Sequence, residues 1–154
     1  MVIVPVSGGG LISGVALGAR ALDPSIKIVG AEPEGANDAA LSKLGGKIVK
    51  LEEVSTIADG LRACLGSLTW PVVRDLVDDI IVVGDDAIVE AMKLCLDVLK
   101  VVVEPSGAIG LAVVLSERFK NDTRWKDCKH VGIVLSGGNL DVSLLYNLFE
   151  SKTL

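Results

Sequence analysis

The sequence predicts an α/β fold, a mainly parallel sheet with helices on both faces. Three observations point there. Short apolar runs alternate with segments of helical composition, two of the runs close on glycine-rich turns, and half of the 154 residues are apolar. Strands covered on both faces read as continuous Val/Ile/Leu runs, and strands alternating with helical segments imply parallel crossovers.

The elements follow in order. Val2 to Val6 reads as a core strand, and Ser7-Gly8-Gly9-Gly10 turns the chain. Leu11, Val15, Ala19 and Leu22 share one face of a helix over 11–22. Gly14 and Gly18 weaken that helix by about 1 kcal/mol each relative to Ala, and Asp23-Pro24-Ser25 ends it. Lys27 to Ala31 is a second strand, ending at Glu32-Pro33. Asn37 to Leu44 suits a helix stopped by Gly45-Gly46, and Lys47 to Leu51 suits a short strand. Ser55 to Gly60 reads as a functional loop. Pro71 fits the first turn of a helix over 70–77, where its missing N–H is no loss. Ile80 to Val83 is a third strand, and Asp85 or Asp86 caps a helix running to Leu99. A helix over 108–119, a polar loop over 120–129, a strand over 131–135 and a helix over 140–149 complete the chain.

Composition narrows the function. The chain is one domain's worth, with net charge −5 and mean hydropathy +0.54. It has no basic cluster for nucleic acid and no apolar run near the roughly 20 residues that span a bilayer. Cys64, Cys95 and Cys128 are odd in number and widely spaced, so neither a zinc site nor a disulfide framework is expected. A reducing, cytoplasmic setting follows from that expectation. The first residues carry no secretory pattern. They already read as a core strand, which suggests a chain that begins inside a fold.

A strand, then Ser7-Gly8-Gly9-Gly10, then a helix is a place for an anion. Glycines let the backbone approach it, and the helix N-terminus adds partial positive charge. Two ligands compete. A dinucleotide would use Gly8, Gly10 and Glu32 as the phosphate glycines and the ribose acid, although Ser13 stands where the third glycine belongs. Pyridoxal phosphate (PLP) would use a second glycine loop, and Ser136-Gly137-Gly138-Asn139 supplies one after a buried strand.

The segments V-P-V-S-G-G-G-L-I-S-G, A-E-P, T-I-A-D-G, T-W-P, V-E-P-S-G-A and V-L-S-G-G-N occur in this order over nearly the whole chain. As an ordered set they resemble the serine racemase and serine/threonine dehydratase family of fold-type-II PLP enzymes. The resemblance implies that residues 1–154 form the C-terminal part of the PLP-binding large domain. The small domain and the lysine-bearing part would lie outside this incomplete large domain.

The resemblance also implies residue roles. Ser7, Gly8, Gly9, Gly10 and the Leu11 amide match the phosphate loop, Ser7 standing where a glycine is common. Ser136 matches the hydroxyl facing the pyridine nitrogen, and Gly60 and Glu104 match positions beside the cofactor. Glu32, the Ala36 carbonyl and Asp38 match a site for Mg²⁺ or Ca²⁺, all oxygen donors as a hard cation requires. Lys100 and Asn139 match contacts to ATP, an activator of animal members of the family. The bland alternatives are a solvated strand end for Glu32 and Asp38, a helix N-terminal acid for Glu104, and a C-terminal helix cation for Lys100. His130, Trp70 and Trp125 read as structural.

The family's Ser-x-Lys-x-Arg-Gly segment, which carries the cofactor-linking lysine, is absent from the 154 residues. The implied activity is interconversion of L- and D-serine, with elimination of water to pyruvate and ammonia, by a homodimeric full-length enzyme. Threonine or hydroxyaspartate ammonia-lyase activity, an NAD-binding module and a non-catalytic truncated relative are the alternatives. This chain alone is expected to be inactive.

Overall fold

The structure of the chain, a computed structural model, describes residues 1–150. Four parallel strands form one sheet in the order β3-β2-β1-β4. They are β1 (Val2–Pro5), β2 (Ile28–Pro33), β3 (Asp79–Val83) and β4 (Gly132–Ile133). Among the described residues seven α-helices accompany them: α1 (Gly10–Leu22), α2 (Asp38–Gly45), α3 (Trp70–Leu76), α4 (Asp85–Leu94), α5 (Pro105–Leu115), α6 (Glu117–Lys120) and α7 (Val142–Glu150).

Alternation along the strands sends side chains to two cores. Ile3, Val29, Ala31, Ile81 and Val83 face one way and meet Ile88 and Met92 of α4 and Ile109 and Val113 of α5. Val4, Ile28 and Ile80 face the other way and meet Ile12 and Ala16 of α1 and Trp70 and Val73 of α3. Both faces of the sheet are therefore covered, which is why its strands are apolar apart from Glu32 in β2 and Asp79 at the start of β3.

Four expected elements differ. No strand forms over 47–51. The Ser42 hydroxyl accepts from the Val49 amide at 2.8 Å and donates to the Asp38 carbonyl at 2.6 Å, tying this stretch to α2 instead. The helix expected to reach Leu99 changes to π geometry over Cys95–Leu99, and Lys100 ends it at φ 58°. The helix expected over 108–119 starts at Pro105 and breaks at Ser116, whose hydroxyl caps α6 by accepting from the Phe119 amide at 3.2 Å. The last strand is only two residues long.

Candidate active site

The order of the strands reverses between β1 and β4, and ligands of open parallel sheets bind at the carboxyl ends of strands beside such a reversal. Both glycine loops leave the sheet there. A recess of about 180 Å³ is lined by Ser7, Gly8, Gly9, Gly10, Leu11, Gly60, Glu104 and Ser136, together with Pro5, Leu61 and Ser106. All eight residues expected beside the cofactor converge on it.

The first loop is braced from a distant part of the chain. Ser7 exchanges hydrogen bonds with Ala63, its hydroxyl donating to the carbonyl and accepting from the amide, each at 3.2 Å. The Gly8 carbonyl accepts from the Thr69 hydroxyl at 2.6 Å and from the Gly66 amide at 3.1 Å. Gly9 caps α1 at φ +87°, and a Cβ there would lie 2.7 Å from Thr69 Oγ1. Only glycine has both the conformation and the room. No side chain caps α1 and its first turn carries no acid. The first free N–H groups of that helix are left for a ligand.

The second loop and the loop over 58–60 meet at the start of α5. The Ser106 hydroxyl accepts from the Gly60 amide at 3.0 Å, and the Glu104 carboxylate accepts from the Asn139 amide at 2.9 Å. The loop over 56–60 is held in turn by Asp85, which accepts from the Thr56 hydroxyl at 2.6 Å and the Ile57 amide at 3.0 Å. A glycine-lined anion cradle, an uncapped helix start and a neutral Ser136 hydroxyl fit the phosphate and ring nitrogen of PLP.

Glu32 and Asp38 sit apart from this recess. Glu32 is 1% exposed, and its two oxygens accept from the Ala39 and Ala40 amides at 2.8 Å each. Burial pushes its carboxyl up to about 8, against those two amides, and the Asp38 charge adds to the rise. Burial likewise raises Asp38, against the Leu65 amide that it accepts from at 3.2 Å. A carboxylate so enclosed cannot reach a ribose, so the dinucleotide reading loses its acid. Ala36 is fully buried beside them. Two buried carboxylates and a main-chain carbonyl are hard oxygen donors of the kind that Mg²⁺ or Ca²⁺ takes. Among the described residues no group of three or more His, Cys, Asp or Glu side chains converges on a metal site.

The structure does not bring Lys100 and Asn139 together around either recess. Asn139 lines a wider cleft of about 610 Å³ next to the first, whereas Lys100 lines neither. Sequence reasoning overlooked Ser106 and Thr69. Each lies in a quoted segment, P-S-G and T-W-P, but only the fold shows which loop each one holds.

Among known proteins, the family model described as pyridoxal-phosphate dependent enzyme matches residues 1–137. A serine racemase of Arabidopsis thaliana is 62% identical over 151 residues, 98% of this chain and 46% of that protein. The structure of maize serine racemase superposes with a TM-score of 0.92 at 61% identity, over 97% of this chain and 46% of that one. Threonine deaminase isoform 2 from Solanum lycopersicum gives 0.87 at 35% identity, over 98% and 41%. The chain thus spans about half the length of the curated relatives it matches. With its all-parallel sheet and its recess between two glycine loops, the chain belongs to the pyridoxal-phosphate dependent enzymes.

Proposed function

We propose that this chain is the phosphate- and ring-holding part of a PLP-dependent serine racemase that also eliminates water from serine to give pyruvate and ammonia. The observation that carries the reading is the convergence of Ser7 to Leu11, Gly60, Glu104 and Ser136 on one recess. Serine racemases among the relatives favour serine as substrate, and threonine or hydroxyaspartate elimination is the alternative within the same chemistry.

Bound PLP supplies the electron-withdrawing ring that makes the α-proton of an amino acid removable. In this chain Ser7, Gly8, Gly9, Gly10 and the Leu11 amide hold the phosphate at the start of α1. Ser136 offers the ring nitrogen a neutral hydroxyl, so no carboxylate there stabilises a protonated ring. Gly60 and Glu104 wall the recess. Glu32, Ala36 and Asp38 hold Mg²⁺ or Ca²⁺. ATP, as an effector, reaches Asn139 in the wider cleft and Lys100 outside it.

The assembled enzyme works as a homodimer in the cytoplasm, with no nucleic-acid or membrane partner. Three unpaired cysteines and the charge of −5 support the setting. Exposed Val98, Leu99 and Val102 support a covered face. No helix among the described residues is long and apolar enough to cross a membrane.

Titration of the chain with PLP and with NAD, followed by tryptophan fluorescence and thermal midpoint, tests the reading. PLP is expected to saturate, with inorganic phosphate competing, and NAD to leave both signals unchanged. Binding of NAD without PLP would overturn it. Supplied with the lysine-bearing segment, the chain is expected to turn L-serine into D-serine and pyruvate. Faster elimination from threonine would move the assignment to an ammonia-lyase.

A further inference from the structure

We propose that Glu104 is a positioning residue for Ser136, acting through the glycine loop between them and not as a ligand of the cofactor. The inference rests on the PLP reading above for what Ser136 faces, and on this chain's own geometry for how Ser136 is held.

Ser136 is poorly anchored by the sheet. Strand β4 stops at Ile133, and the Val134 amide makes the last ladder-like bond, to the Ile3 carbonyl at 3.0 Å. From there to the start of α7 the chain has no regular structure. Glu104 grips this stretch on both sides of Gly138. Its own amide donates to the Gly137 carbonyl at 3.1 Å, and its carboxylate Oε2 accepts from the Asn139 amide at 2.9 Å.

The contacts leave no slack. A Cβ on Gly137 would lie 2.6 Å from Glu104 Oε1, one on Gly138 2.7 Å from the Val102 carbonyl oxygen, and one on Gly107 2.5 Å from the Gly137 carbonyl oxygen. The two glycines after Ser136 are there so that backbone can press against residues 102–107. Glu104 itself is fixed as the residue before Pro105, at the start of α5, whose first turn is buried. The rigid end of α5 therefore sets the loop, and the loop sets the Ser136 hydroxyl. A side chain whose Oε2 is used by Asn139 and whose Oε1 lies against Gly137 is occupied in holding the loop.

The test compares Glu104→Ala, Glu104→Gln, Ser136→Ala and the double variant Glu104→Ala/Ser136→Ala, each first checked for a cooperative melt. Hydrogen exchange reads the clamp directly. Losing the acceptor in Glu104→Ala should speed exchange of the Asn139 amide about tenfold, whereas the glutamine oxygen still accepts and should keep it within about threefold. PLP affinity and the absorption and emission spectrum of the bound cofactor read the coupling. Glu104→Ala should shift the spectrum as Ser136→Ala does and weaken binding by a similar factor. The double variant should be no worse than Ser136→Ala alone. Additive losses, or Glu104→Gln as impaired as Glu104→Ala, would mean that the charge acts on the cofactor itself and would overturn the proposal. If the unaltered chain binds no PLP, the functional reading fails, while the exchange of Asn139 still decides whether Glu104 holds the loop.

Discussion

Gly9 carries the anion cradle at the residue scale. Its φ of +87° places it in the left-handed region, and a side chain there would collide with Thr69, which also holds the Gly8 carbonyl. Gly9→Ala is expected to destabilise the fold by about 1–3 kcal/mol through backbone strain. It should also weaken PLP binding more than Gly14→Ala, which meets open space. Thermal melts and PLP titrations of the two variants check this, and equal effects would remove Gly9 from the site. The glycine run was legible because three consecutive glycines have few other uses. Thr69 was not legible, because its target lies 61 residues away and nothing local marks a hydroxyl as a brace.

Asp78 shows how elements are joined. Its Oδ2 accepts from the Ile28 amide and from Arg20, each at 2.8 Å, and its Oδ1 accepts from Lys27 at 3.1 Å. One carboxylate thus links α1, the start of β2 and the approach to β3. Burial opposes the ionised form, but the Ile28 amide, Lys27 and Arg20 outweigh it and hold the carboxyl below its ordinary value. A depressed carboxyl contributes stability that is fully present above the ordinary value of 3.8 and is lost as pH falls below it. Asp78→Asn is expected to cost about 1 kcal/mol at pH 7. The difference from the unaltered chain should shrink as pH falls below 3.8, as denaturant melts at several pH values can show. A gap independent of pH would refute the ionic account. Element boundaries were less legible than element types. The π turn at Cys95 and the break at Ser116 arise from packing and capping contacts that periodicity does not encode.

At the scale of the whole molecule, two cores back one sheet, and two features lie at its carboxyl edge: the recess at the end of β1 and the buried Glu32 and Asp38 between β2 and α2. Two buried acids, Glu32 and Asp38, close enough for the Asp38 charge to act on Glu32, create a demand for positive charge, and neither forms an ion pair among the described residues. Mg²⁺ or Ca²⁺ is therefore expected to raise the thermal midpoint, by about 2.7 kcal/mol of added stability at a hundredfold excess over Kd. Glu32→Gln should remove most of that gain while leaving the response to PLP, because the recess contains neither acid. Midpoints measured with EDTA, Mg²⁺ and Ca²⁺ check the expectation. An unchanged midpoint in all three would leave the pair as a helix cap.

The sequence by itself determined the α/β class, the parallel sheet and both glycine loops. Those properties follow from local rules: the apolar character of Ile3 and Val4 or Ile28 and Val29, the freedom of Gly9, and the start signal at Pro71. Tertiary structure alone decided what Glu32 and Glu104 do. Both are acids that follow an apolar run, and in sequence Glu32 could face a ribose, a metal or solvent, and Glu104 a cofactor or the start of a helix. Glu32 is enclosed by the amides of α2, and Glu104 grips the loop after β4. A carboxylate's role is set by the donors that surround it, and those donors come from residues the chain brings near only by folding.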